Sequence, residues 1–211
     1  MALAWIFDVF KSSKHDDSLT VAQGKLTAGE PPLIVAATDE DTEFLVASFT
    51  KAASEGTVAQ TSDVGRFIEQ CLKVSKRESQ HDTHQHPFIL GKTLTRPLDD
   101  IFILKAGKIA IGILWLRDHN DQLLAPETFG ELIFLWIRPE FRGYACWPHV
   151  DKFSKNWVQE RKKTFLVGRC LSSSRRMAEL FGRSGYLLKG KTSKGMSVHL
   201  WTSAKKSKRW A

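Results

Sequence analysis

The stretch FGELIFLWIRPEFRGYACWP, from Phe129 to Pro148, decides how this chain folds. Residues 132–137 carry no polar side chain. A strand over 131–137 is therefore buried on both faces and belongs in the interior of a sheet. Pro148 fits the first turn of a helix, where its missing N–H costs nothing. Val150, Phe153, Ser154, Trp157 and Val158 follow at helical spacing and form that helix's inner face. Arg142 to Trp147 lie between the two elements. A loop running from a strand into a helix start presents unpaired N–H groups and the positive end of the helix dipole, and pyrophosphate binds at such places.

Working towards the N-terminus, residues 101–104 and 109–116 read as two strands joined by a tight turn at Ala106, Gly107 and Lys108. Residues 118–128 and the polar stretch 77–86 read as loops. Val64, Phe67, Ile68, Cys71 and Leu72 keep helical spacing without a miss, so a helix starts near Ser62. Residues 33–37 form a short strand. Thr38 caps the helix after it, with Asp39, Glu40 and Asp41 in the first turn, where the dipole favours anions. Phe44, Leu45, Ser48, Phe49, Ala52 and Ala53 share one face of that helix. Working towards the C-terminus, a strand spans 164–170, Ser172 to Ser174 cap a helix over 175–184 that stops at Gly185, and residues 186–189 and 197–201 make a last hairpin. The order is β-α-α-β-β-β-α-β-α-β-β, a mixed α/β (α+β) domain around one mostly antiparallel sheet. The boundaries are an N-terminal extension and linker over 1–30, the domain over 31–203, and a basic tail over 204–211.

Composition narrows the class. Cys71, Cys146 and Cys170 are far apart and lack metal or redox spacing, which fits reduced thiols in a cytoplasmic protein. No apolar run approaches the roughly 20 residues of a spanning helix, so no membrane partner is expected. The apolar start at Trp5, Ile6, Phe7, Val9 and Phe10 lacks a basic flank and contains Asp8, unlike a secretory leader. It reads instead as a contact for a protein partner. The net charge of +8 favours polyanions, so a basic surface for nucleic acid stays open beside a plain solvated tail at Lys205, Lys206, Lys208 and Arg209. His81, His84 and His86 have zinc-like spacing, but they stand in a polar stretch with Asp82 as the single neighbouring carboxylate, and no metal is assigned.

The strand-to-helix stretch resembles the central motif of the GNAT acetyltransferases, in which a strand ends in Val/Ile-x-Pro, an aromatic follows, and then Arg-Gly. SRRMAELFGRSGY (Ser174 to Tyr186) is similar to that family's second signature, and LIVAATDEDTEFL (Leu33 to Leu45) to its opening strand and helix. The resemblance spans residues 33–202. It implies an N-acyltransferase that uses acetyl-CoA or another acyl-CoA to acetylate an amine of a protein or small molecule. The cofactor would lie along Trp136, Ile137, Arg142, Gly143, Tyr144, Ala145, Cys146 and Trp147. Glu131 matches the strand position where several members keep a general base, and Phe129, Leu132 and Phe134 beside it would raise its pKa; a strand-end carboxylate facing solvent is the equal alternative.

Three positions depart from the pattern. Ala145 and Trp147 replace small loop residues; an indole at 147 either fills the space a pyrophosphate would take or points into the core alongside Val150, and the core-facing orientation, with a thioester still bound, is the one expected. Phe181 stands where many members keep a tyrosine that protonates the leaving thiolate, and Tyr186 is poorly placed to substitute. These departures keep a second reading open, a GNAT fold without chemistry that binds protein or nucleic acid, and behind it a transferase acting on nucleic acid. Smaller alternatives attach to the helix starts. Ser172 to Ser174 offer hydroxyls, Arg175 and Arg176 could contact phosphates, and Cys146 at a helix start could be a nucleophile or a packing residue.

Overall fold

The computed structural model describes residues 31–56, 83–85, 93–95, 98–119, 129–142 and 146–203. The extension at 1–30, the helix expected near 62–72 and the tail at 204–211 lie outside these residues. β1 is Leu33–Ala36. A 3-10 turn, Asp39–Asp41, leads into α1, Thr42–Ser54. The Asp41 carboxylate accepts from the Thr38 N–H at 2.9 Å and from its hydroxyl at 3.1 Å, which closes the turn ahead of the helix. Leu45, Ser48, Phe49 and Ala52 are the buried face of α1, as their spacing predicts. Phe49 lies on Phe134 at 4.4 Å between ring centroids and edges against Trp115 at 6.3 Å.

The polar stretch read as a loop contains a short strand. Thr83–Gln85 (β2) pairs antiparallel with Thr93–Thr95 (β3) in a separate two-stranded sheet. Two strands of three residues, with Leu94 as the single apolar one, are too short to show an alternation to a sequence reading. β4, Leu98–Ala106, and β5, Ile109–His119, form the expected hairpin around Gly107, whose φ of 58° is costly for any residue with a Cβ. Both strands run past the expected ends, because Asp99 pairs with Arg117 and Leu98 with Asp118 beyond the apolar stretch.

β6 is Phe129–Ile137, and a 3-10 turn at Pro139–Phe141 follows it. α2 is Cys146–Glu160, β7 is Phe165–Leu171, α3 is Arg175–Arg183, β8 is Leu187–Lys191 and β9 is Met196–Thr202. The main sheet has the order β1-β4-β5-β6-β7-β9-β8, and the pairing of β6 with β7 is its parallel one. One core lies between the sheet and α1, built on Ile113, Trp115, Phe134 and Trp136. The larger core lies on the other face beneath α2 and α3, built on Leu132, Trp147, Val150, Leu166 and Phe181. Polar ties anchor the end of α2 to the hairpin. The Trp157 indole donates to Asp100 at 2.8 Å, Arg161 pairs with Asp100 at 2.5 Å, and buried Lys163 pairs with buried Asp118 at 2.5 Å. Among the described residues no helix is long and apolar enough to cross a membrane.

Candidate active site

β6 and β7 share only four register positions, Phe129 with Phe165 through Leu132 with Gly168. Beyond Leu132 and Gly168 they part, and the sheet opens into a fork. A bulge marks the same place on the other side of β6. Trp115 of β5 pairs with Phe134 while Leu116 pairs with Leu132, so Ile133 is left over. An extra residue bends a strand and ends its regular pairing, which is what opens a fork in an otherwise continuous sheet.

On the α2/α3 face the fork widens into a cleft of about 400 Å³. Leu135 and Ile137 line one wall, Met177 and Leu180 of α3 the other, and Arg142 and exposed Arg176 carry its charge. Of the expected cofactor residues, Trp136, Ile137, Arg142, Cys146 and Trp147 line this cleft; Gly143, Tyr144 and Ala145 lie outside the described residues. Arg176 joins them, and Arg175 does not line the cleft.

Several of these side chains are already committed. The Arg142 guanidinium donates through Nη2 to Glu55 at 2.6 Å and through Nε to the Ile137 carbonyl at 2.7 Å. Glu55 follows the last turn of α1 and also accepts weakly from the Trp136 indole at 3.5 Å. The hydrogen bond from Arg142 holds the Glu55 carboxyl below its ordinary value. The Trp147 indole points into the core rather than into the loop. It is buried, donates to the Ser184 hydroxyl at 2.7 Å and edges against Phe181 at 5.4 Å. Cys146 is buried too, with its thiol 3.9 Å from the Phe141 carbonyl, and burial pushes its pKa up. Its burial and the raised pKa favour the packing role for Cys146 over that of a nucleophile.

The aromatic at position 181 is also a core group. Phe181 is fully buried, stacked on His199 at 4.9 Å and packed against Tyr186 at 4.9 Å. Tyr186 precedes β8, is buried and does not line the cleft, and burial, reinforced by Asp151, pushes its phenol far above the ordinary range. Ser174 precedes α3 without a side-chain cap, contrary to the capping expected there, and its carbonyl accepts from Ala178 instead. Ser172 donates to the Gly195 carbonyl.

The opposite face of the fork carries the polar cluster. Glu131 stands one residue before the strands part, with its side chain on the α1 face, since Gly130 and Leu132 turn to α2. Its Oε1 lies 3.0 Å from Nη1 of Arg169, the first residue of β7 past the pairing. Its Oε2 lies 2.8 Å from Nε2 of His119, at the end of β5. The side chain of Glu131 is only 6% exposed, whereas that of His119 is 24% and that of Arg169 40%. Glu131 is buried, not a strand-end carboxylate facing solvent, and its oxygens lie between a guanidinium and an imidazole. His119 and Arg169 escaped the sequence reading. Alternation along β5 puts residues 113, 115, 117 and 119 on one face, which was a usable signal for His119. Arg169 and Glu55 reach the site only through tertiary packing. Among the described residues no group of three or more His, Cys, Asp or Glu could hold a metal ion.

No family model and no curated protein matches this chain. Solved structures do. A GNAT-family acetyltransferase from Listeria monocytogenes superposes with a TM-score of 0.59 at 15% identity, over 84% of this chain and 98% of that one. The paia N-acetyltransferase of Thermoplasma acidophilum, in complex with coenzyme A, gives 0.60 at 12% identity, over 82% and 100%. An aminoglycoside acetyltransferase in complex with coenzyme A gives 0.58 at 12% identity, over 81% and 94%.

Proposed function

We propose, from the GNAT fold as premise, that this chain is an N-acyltransferase that takes its acyl group from acetyl-CoA or a related thioester and passes it to an amine. The observation that carries this reading is the fork between β6 and β7. It lies between a cleft of about 400 Å³ on one face of the sheet and a buried carboxylate on the other. A fold alone does not assign chemistry, and here the residues themselves suit the role.

Leu135, Ile137, Met177 and Leu180 give an apolar channel suited to the thin arm of such a cofactor. Arg176 and Arg142, with the start of α2, supply positive charge for its phosphates, and the Trp147 indole is tied to Ser184 at the end of α3. When bound, the thioester supplies an activated acyl carbon. The amine nitrogen forms a bond to it, the carbon–sulfur bond breaks, and the sulfur leaves as a thiolate. The chain's part is to admit the amine from the α1 face, to take its proton through the unit built on Glu131, and to hold both reactants in line across the fork.

Calorimetry with acetyl-CoA tests the reading. Binding in the micromolar range supports it. No heat at millimolar ligand would leave a fold used as a binding module.

A further inference from the structure

Glu131 is poorly placed to receive a proton itself. Both of its oxygens are engaged, one by the Arg169 guanidinium at 3.0 Å and the other by His119 at 2.8 Å. Its side chain is 6% exposed, so an incoming amine meets its neighbours first. His119 is the neighbour that can accept. Its ring lies flat on Phe129, with centroids 4.4 Å apart and planes 17° apart, which fixes the ring plane. Its Nε2 faces Glu131 at 2.8 Å, and Nδ1 is the ring nitrogen turned away from that carboxylate. A carboxylate that accepts from one imidazole nitrogen selects the tautomer with the proton on that nitrogen. The lone pair is then left on the other, which is the arrangement of a base held by an orienting acid.

We infer that His119 is the proton acceptor of the transfer reaction and that Glu131 is its positioning residue, locked in place by Arg169. The inference rests on the acyltransferase reading. The proton leaves the acceptor's ammonium nitrogen, directly or through one water, and arrives on Nδ1 of His119. The imidazolium so formed is stabilised by the Glu131 carboxylate at Nε2. The charged groups that face this pair are Glu131 itself, Arg169 from β7 and Arg117 from the same face of β5. The cofactor would then lie on one face of the sheet and the base on the other, with the fork as the one opening the reaction needs.

Two measurements on the full chain test this. The first needs no turnover. Nitrogen-15 imidazole spectra of the free protein near neutral pH are expected to show His119 with its proton on Nε2, and Glu131→Leu to abolish that preference. A proton on Nδ1 in the parent would overturn the proposal. The second follows thiol release from acetyl-CoA with a lysine-containing peptide and a linear polyamine as acceptors. His119→Gln is expected to lower kcat by about 10² or more, to remove the acid limb of the pH profile, and to leave acetyl-CoA affinity by calorimetry unchanged. Free imidazole is expected to restore part of the rate to His119→Ala. A parent rate and an unchanged limb in His119→Gln would overturn the role of His119 and leave the acyltransferase reading intact. A parent chain that releases no thiol with either acceptor, or binds no acetyl-CoA, overturns both.

Discussion

Gly168 is the last residue of β7 that pairs with β6, and an alanine there tests whether Phe181 is a structural ring or a displaced catalytic one. A Cβ built on Gly168 would lie 2.3 Å from Cζ and 2.5 Å from Cε1 of Phe181, where ordinary contacts begin near 3.4 Å. The ring has nowhere to retreat. It is fully buried, with Trp147 at its edge at 5.4 Å and His199 and Tyr186 each at 4.9 Å. Forcing a methyl into a closed core costs about 1–3 kcal/mol, and the depth of this overlap puts the expected cost near the upper end, roughly 2–3 kcal/mol. For a domain of this size that lowers Tm by roughly 4–12 °C. Urea denaturation should show a lower midpoint with an unchanged slope. Phe181→Leu removes the atoms that clash, so Gly168→Ala/Phe181→Leu should be more stable than the sum of the single changes by at least about 1 kcal/mol. A neutral Gly168→Ala, within about 0.5 kcal/mol of the parent, or an additive pair, would refute the packing argument.

Glu55→Gln frees Arg142 from its carboxylate partner and should tighten acetyl-CoA binding by up to about fivefold, the range of an exposed ion pair; weaker binding would show that Glu55 holds Arg142 in its useful position. Because the Glu55 carboxyl is held below its ordinary value, the stability contributed by its pair with Arg142 is present above the ordinary glutamate range and is lost as pH falls through the lowered value. The parent should therefore lose more stability than Glu55→Gln on acidification through that window, and equal losses by urea titration would exclude a contribution from the pair. Trp147→Phe deletes the hydrogen bond to Ser184 and should cost about 1–2 kcal/mol while acetyl-CoA affinity stays within about twofold. A large gain in affinity would mean that the indole plugs the loop.

The elements that a sequence reading recovers here are those whose burial is written into periodicity. The run 132–137 announces a central strand, α1 shows its buried face at Leu45, Ser48, Phe49 and Ala52, and Gly107 marks the hairpin turn. β2 and β3 were missed because strands of three residues, with Leu94 as their single apolar side chain, are too short to carry a period. The position of the fork depends on the leftover Ile133 and on where pairing with β7 stops, and backbone register leaves no trace in composition. The carboxylate of the site was visible in the motif. Its partners were not, because Arg169 and His119 lie on other strands and are brought together only by the sheet order.

Trp147 and Phe181 change meaning once they are seen together. Read along the chain, they are two separate losses, a blocked phosphate loop and a missing proton donor. In the folded chain they touch, edge to face at 5.4 Å, and the Trp147 indole reaches past to the Ser184 hydroxyl at the end of α3. The pair joins the first turn of α2 to the last turn of α3, and so builds the floor beneath the cleft between them. An indole used this way cannot also fill the loop, and a phenylalanine sealed at zero exposure is a wall of the core rather than an empty catalytic position. Aromatic replacements at both positions then form one packing unit, since the larger ring on α2 needs a flat apolar partner on α3. The case for a module without chemistry loses the support it drew from these two residues. It now rests on Ala145, which lies outside the described residues, and on Arg142, whose charge is spent on Glu55 at 2.6 Å and is open to a phosphate only if the phosphate displaces that carboxylate. That competition is between two anions for one guanidinium. Glu55→Gln and acetyl-CoA calorimetry measure it directly.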